Sequence, residues 1–203
     1  MPFEVDQFVE ACRAVRHLPD APARIAALIE QAIADPNSIE ATIDARQAGL
    51  SPRPMADVFV NEDDLTIYHV ACPPYIFGAP HDHAGWAVIG VYAGSESFNV
   101  YEETQTGLRW IRRDVLKAPA VRILPADLIH DIENAELETS GSIHVYSNRH
   151  FGVPERRIWR DTQSASEPFT LQKAVEFGTE LTRRRRTELG ISDTSMPVVP
   201  ELE

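Results

Sequence analysis

From Ala56 onward the chain is cut into short segments rich in Val, Ile, Tyr and Phe by turn-forming stretches: NEDD, CPP, AGSE, ETQTG, KAP, NAELETSGS and SNRHFGVPE. Strand and turn signals that recur at roughly ten-residue spacing predict an all-β sandwich or barrel. No helical pattern of convincing length interrupts them before Glu167. SFNVYEE and LRWIRRD, separated by Thr104–Gly107, read as the two arms of a hairpin.

Helical periodicity flanks this β region. Phe3, Phe8, Val9, Cys12 and Val15 form one apolar stripe, and Ile25, Leu28, Ile29 and Ile33 a second, with Pro19 and Pro22 between them. A third short helix is expected from Ser38 as N-cap to a stop at Gly49. A closing helix is expected within 167–190, with Leu171, Ala174, Val175 and Leu181 inward, followed by a tail over 191–203. The expected organisation is thus one domain over 1–203: a helical region 1–50, a β region 56–160, one closing helix and a tail.

A formal net charge of −12 opposes a sequence-independent grip on nucleic acid or on anionic lipid. Arg183 to Arg186 read as cations that complement the end of a helix dipole. No apolar run approaches the roughly 20 residues that cross a bilayer. Two cysteines far apart, Cys12 and Cys72, and an acidic amphipathic start lead to the expectation of a reducing, cytoplasmic setting with a small-molecule partner.

The chemistry concentrates in APHDHAGWAVIGVYAGSE. His81 and His83 are two residues apart, which on a strand places both on one face. With seven histidines in the chain such a pair arises easily by chance, so further residues must decide. LPADLIHDIEN supplies Pro125, Asp127, His130 and Asn134, a turn feeding a short strand whose histidine could face the first two across a barrel.

These two stretches resemble the paired motifs of the cupins: His-x-His followed by glycine, here Gly94, then Pro-x-Gly-x-x-His-x-x-x-Asn, with Asp127 in place of the glycine. The resemblance implies a mainly β fold, a double-stranded β-helix (jelly-roll) barrel with N-terminal helices and one C-terminal helix. The general cupin pattern has a glutamate ligand where this chain has Ala87. A site without that acid is similar to the thiol dioxygenases, the cysteine dioxygenase family. Their bacterial pattern His-Asp-His-x-x-Trp-x-x-x-Gly-Val-x-x-Gly matches at His81, Asp82, His83, Trp86, Gly90, Val91 and Gly94.

GSIHVYSNRHFG adds Ser142, His144 and Tyr146 on one strand face. In that family a Ser-x-His-x-Tyr strand forms a hydrogen-bonded relay beside the iron. The resemblance implies Fe(II) held by His81, His83 and His130, with Tyr146 oriented by His144 and Ser142, acting on a small thiol of the cysteine or 3-mercaptopropionate type and on O2 to give a sulfinate. It also implies a cation for the substrate carboxylate, for which Arg157 or Arg156 is expected ahead of Arg53, fenced by Pro52 and Pro54. Neither Ala87 nor Val88 can form the thioether to tyrosine found in eukaryotic members. Asp82 and Trp86 read as structural, the latter as barrel wall, and His17, His69 and His150 as lying outside the site. A carbon–carbon-cleaving three-histidine cupin dioxygenase, and a non-catalytic cupin that binds metal or a small ligand, stay open as alternatives.

Overall fold

In the computed structural model, which describes residues 2–192, helices α1 (Val5–Val15), α2 (Ala21–Ile33) and α3 (Pro36–Arg46) precede the β region. Strands β1 (Ala56–Glu62), β2 (Leu65–Cys72), β3 (Ile76–Phe77), β4 (Ala87–Ala93), β5 (Ser95–Thr104) and β6 (Gly107–Lys117) follow. They continue as β7 (Ala120–Leu124), β8 (Ile129–His130), β9 (Glu133–Asn134), β10 (Ser140–Tyr146), β11 (Arg157–Ile158) and β12 (Glu167–Pro168), and α4 (Leu171–Glu188) closes the chain.

The strands pair as β1-β2-β10-β4-β7 in one sheet and β3-β9-β5-β6 in the other, with β8 also on β5. From β2 to β10 the chain passes back and forth between the two sheets, staying in the second sheet for the consecutive strands β5–β6 and β8–β9, and every named pairing is antiparallel. This strand order is the jelly roll, or double-stranded β-helix, that the sequence motifs imply. β5 and β6 form the expected hairpin, with Thr104 opposite Gly107 and a register shift at Val100/Tyr101.

The central strands of the first sheet, β2, β10 and β4, are largely buried on both faces because the N-terminal helices cover their outside. Along β10, Ser142, His144 and Tyr146 alternate with Ile143 and Val145, and all are buried. Val88 and Tyr92 of β4 join Ile143, Val145, Leu65 and Ile67 in a cluster with Phe8, Cys12, Ile25, Ile29 and Ile33 from the helices. Ala87, Ile89 and Val91 face the opposite way, into the barrel with Tyr68, Phe98, Leu116, Leu124 and Tyr146. Gly90 lies beneath α2 so closely that a Cβ there would sit 2.0 Å from Ile29 Cγ2. Helix–sheet packing therefore explains this glycine of the motif. Trp86, read as barrel wall, packs on the outer side of that wall against the helix-covered cluster.

Two helices differ from their sequence expectations. α3 begins earlier, because Asp35 caps it by accepting from Ser38 N at 3.3 Å and Pro36, its first residue, carries a φ already suited to a first turn. Gly49, at φ 83°, lies just past its end as expected. α4 starts at Leu171, capped by Thr170, and buries Phe177, Thr182 and Arg186 where Leu171, Ala174, Val175 and Leu181 were expected to lead. Thr182 accounts for part of the difference: its hydroxyl accepts from Phe77 N at 3.0 Å and donates to Phe77 O at 3.1 Å. Arg186, one of the four arginines read as complementing the helix dipole, donates to Tyr75 O and Pro74 O. The tail expected over 191–203 lies, from residue 193 on, outside the described residues. Among the described residues no helix is long and apolar enough to cross a membrane.

Candidate metal centre

His81 and His130 are locked to each other through the backbone. His81 N donates to His130 O at 2.8 Å and His130 N to His81 O at 3.0 Å, so the two side chains leave one narrow cross-strand pair. His83 arrives differently. The expected strand does not extend over residues 82–86, and the chain instead turns tightly through Ala84, whose φ of 52° is unusual for a residue with a side chain. Gly85 is needed in this turn, since a Cβ there would lie 2.6 Å from both Ser147 Oγ and Asn148 Nδ2. Asn148 Nδ2 donates to His83 O at 2.8 Å and pins the loop to the end of β10. Such a restrained, strained turn beside a cluster of imidazoles is where functional strain is commonly found.

One nitrogen from each of His81, His83 and His130 falls within 4.8 Å of the others. The Nε2 atoms of His83 and His130 are 3.0 Å apart. His81 Nδ1 lies 2.9 Å from Ala79 O, an acceptor, so Nδ1 carries the proton and Nε2 keeps its lone pair. Burial is the main force holding all three imidazoles neutral: His81 is depressed to about 4, and His83 and His130 lie well below the usual histidine value. Three neutral nitrogen donors with no carboxylate among them fit a divalent transition metal such as iron, nickel or zinc.

Above the cluster stand the residues of β10. Ser142 Oγ is 2.9 Å from His144 Nε2, and His144 Nδ1 is 3.0 Å from the Tyr146 hydroxyl. The three form a continuous buried file whose tyrosine ring lies 5.0 Å from the His83 ring, edge to face. Tyr68, directly opposite His144 in the β2–β10 register, extends the file with a hydroxyl 2.9 Å from that of Tyr146. Burial raises the Tyr68 phenol to about 12 and that of Tyr146 well above the ordinary value, so both are protonated donors at neutral pH.

A cavity of about 220 Å³ opens beside His81. Its walls are mostly apolar, with Val70, Ile132, Ile158 and Phe169 among them, and its polar lining includes His144, His150, Arg156 and Glu96. Arg156 is 1% exposed and stacks 3.6 Å above the Phe169 ring. Its Nε donates to Asp82 O and one terminal nitrogen to His150 O, while the other terminal nitrogen, Nη2, is buried with no hydrogen-bond partner among the described residues. Burial lowers its pKa to about 10, which leaves it charged at neutral pH.

The three arginines expected for a carboxylate lie in different surroundings. Arg157 points the other way: its Nε holds Asp82 at 2.8 Å and a terminal nitrogen holds Glu103 at 2.7 Å on a partly exposed face. Arg53 is more than half exposed, pairs with Asp44 and lines a different cavity, with His69 and Tyr92. Of the three, Arg156 lines this cavity and Arg157 and Arg53 do not. Asp82 serves structure as expected, accepting both from Arg157 N and from its side chain. His150, expected outside the site, lies within it, with its ring centroid 3.6 Å from that of Tyr146 and 5.6 Å from that of His83. His69 faces outward and bonds Tyr92, and His17 is exposed beside Asp64.

Neither the protein-family models nor the curated proteins yield a match to this sequence. Among solved structures, similarity extends to a protein with a double-stranded β-helix domain from Klebsiella pneumoniae, at 17% identity and TM-score 0.43 over 57% of this chain and 92% of that one. An RmlC-like cupin protein from Ralstonia eutropha is similar at 17% identity and TM-score 0.40 over 75% and 87% of the two chains. An oxalate oxidase in complex with glycolate is similar at 18% identity and TM-score 0.40 over 53% and 58%. The fold assignment rests on the strand order itself, which places this chain among the double-stranded β-helix barrels.

Proposed function

We propose that this chain is a thiol dioxygenase of the cysteine dioxygenase type, converting a small thiol that bears a carboxylate to its sulfinate with O2 and Fe(II). The observation that carries this reading is the meeting of two independent constellations: a three-imidazole, carboxylate-free cluster and a Ser142–His144–Tyr146 file whose phenol stands against it. A metal-binding barrel with no reaction to run needs the first and has no use for the second.

His81, His83 and His130 would hold the metal, which supplies positive charge toward a thiol and electrons toward O2 when bound. The remaining work falls to the chain. Arg156 presents its unpartnered Nη2 to an anionic group, since a carboxylate entering so apolar a cavity needs a cation. Tyr68 and Tyr146 keep their protons and can donate to an atom that gains charge in the reaction. Ser142 and His144 orient that donor from behind. The apolar walls exclude water from a product that receives both oxygen atoms on sulfur and is oxidised by four electrons, as O2 requires.

Oxygen uptake by the iron-loaded protein against a panel of 3-mercaptopropionate, cysteine and cysteamine tests the reading. Uptake with a mercapto acid and formation of its sulfinate support it. Absence of uptake with every thiol, or uptake with a dione only, overturns it.

A further inference from the structure

The polar file in the barrel does not stop at Ser142. Glu96, on β5, faces inward with Oε2 3.7 Å from His144 Nε2, and it is 1% exposed. Among the described residues neither of its carboxylate oxygens has a well-formed hydrogen bond, although the Ser140 and Ser142 hydroxyls are close enough to turn toward it. The inward positions beside it, Phe98 and Leu116, are apolar. A leucine at position 96 would suit such a wall, so packing gives no reason for an acid.

The titratable groups that face Glu96 are His144 and Tyr146 from β10, and Tyr68 and Cys72 from β2. Among the described residues the one basic side chain within 4 Å of its carboxylate is that of His144, which burial depresses to about 3 and so keeps neutral. Arg156 lines the same cavity, but the imidazole that aligns Tyr146 lies 3.7 Å from the carboxylate, so ionisation of Glu96 is felt most directly there.

We infer that Glu96 is a positioning residue: its protonation state selects which ring nitrogen of His144 carries the proton and thereby the direction of the hydrogen bond to Tyr146. With Glu96 ionised, His144 carries its proton on Nε2, facing Ser142 and the carboxylate. Nδ1 is then an acceptor, and the Tyr146 hydroxyl proton is drawn back along the file. With Glu96 protonated, its acid proton turns to a serine hydroxyl, Ser142 donates to Nε2, and Nδ1–H donates to the Tyr146 oxygen. The phenol proton is released toward Tyr68 or toward a ligand beside His83. Each arrangement keeps one proton on the imidazole, so the exchange moves one proton between Glu96 and solvent. Burial raises the Glu96 carboxyl to about 7, which places the exchange in the neutral range.

The consequence for turnover rests on the function proposed above, but the inference about Glu96 does not, and the test separates them. Long-range nitrogen–proton NMR of the histidine-labelled, metal-free protein reads the His144 tautomer from pH 5 to pH 9. The expected result is Nδ1–H at the acid end and Nε2–H at the alkaline end in the parent, with a midpoint near neutrality, and Nδ1–H throughout in Glu96→Gln. A His144 tautomer that is constant in the parent, or that still switches in Glu96→Gln, overturns the inference; the parent titration alone decides it if the variant does not fold. In the iron-loaded protein the kcat profile for a mercapto acid should carry a limb with that midpoint in the parent and lack it in Glu96→Gln. A tautomer switch without thiol oxidation would remove the proposed function and leave Glu96 in its role. Thiol oxidation with an immobile tautomer would do the reverse.

Discussion

His83 Nε2 and His130 Nε2 face each other at 3.0 Å in the buried core of the barrel, and neither ring's Nδ1 makes a well-formed hydrogen bond among the described residues. Two bonds of about 2.1 Å meeting at a right angle would separate two nitrogens by about 3.0 Å, so the pair is already spaced for one metal ion. His83→Ala and His130→Ala should each lower bound metal at least tenfold, read by elemental analysis after reconstitution. Full metal retention in either would remove that histidine from the site. Metal removal by a chelator should also lower the melting temperature, because a ligand held only by the folded state at one hundred times its Kd stabilises by about 2.7 kcal/mol.

Tyr146→Phe deletes a hydroxyl that meets both Tyr68 and His144. Metal content should be unchanged and turnover should fall tenfold or more, equivalent to at least about 1.4 kcal/mol of barrel-side stabilisation of the transition state. Stability should fall by about 1–3 kcal/mol, since two buried polar groups lose a partner. Unchanged turnover would remove Tyr146 from the reaction.

Arg156 and Arg157 are neighbours in sequence and opposites in space, which gives a paired test. Arg156→Ala should raise KM for a mercapto acid tenfold or more and change that for cysteamine far less. Arg157→Ala should leave the ratio of the two constants unchanged and act on stability, because it frees Asp82 and Glu103 on the surface side of the loop. The reverse pattern would restore Arg157 to the carboxylate-binding role expected from its place after the Tyr146 strand.

Gly90→Ala places a methyl group against Ile29 Cγ2, and such overpacking costs about 1–3 kcal/mol. Ile29→Ala should recover part of that loss when combined with it, a coupling expected of residues in contact and measurable by denaturant unfolding of the four proteins. Strict additivity would show that α2 does not rest on Gly90.

His69, outside the metal centre, is depressed to about 4 by burial and bonds the Tyr92 hydroxyl. A histidine depressed on folding stabilises fully above the unfolded value of 6.5 and less as pH falls from there toward 4. The loss integrates to about 3 kcal/mol. Urea unfolding at pH 7 and pH 4.5 should show a smaller acid loss in His69→Gln than in the parent. Equal losses would mean that the ring already accepts a proton in the folded state.

Much of the fold and part of the site are legible in the sequence, and the reason is periodicity. Alternation along GSIHVY is enough to place Ser142, His144 and Tyr146 on one face, and turn signals locate the Thr104–Gly107 hairpin. Periodicity fails where the chain is irregular. His83 reaches the cluster through the strained turn at Ala84, and His150 and Arg156 lie in a loop whose composition gives no side-chain direction. β11 holds only two residues, so the choice between Arg156 and Arg157 turns on the path of that loop against Asp82. Tyr68 and Glu96 are within reach of a sequence reading, because both fall on the inward parity of their strands. Arg186 is not, since its burial depends on carbonyls more than a hundred residues away.

The proposed function joins a three-histidine metal centre to a reaction at sulfur. Mass analysis of the product formed from 3-mercaptopropionate by the iron-loaded protein under oxygen-18 gas tests that link most directly. The expected product is a sulfinate carrying two heavy oxygens, formed with one O2 consumed per thiol and lost when His130 is replaced by Ala. Disulfide alone, or a sulfinate that takes its oxygen from water, would contradict it.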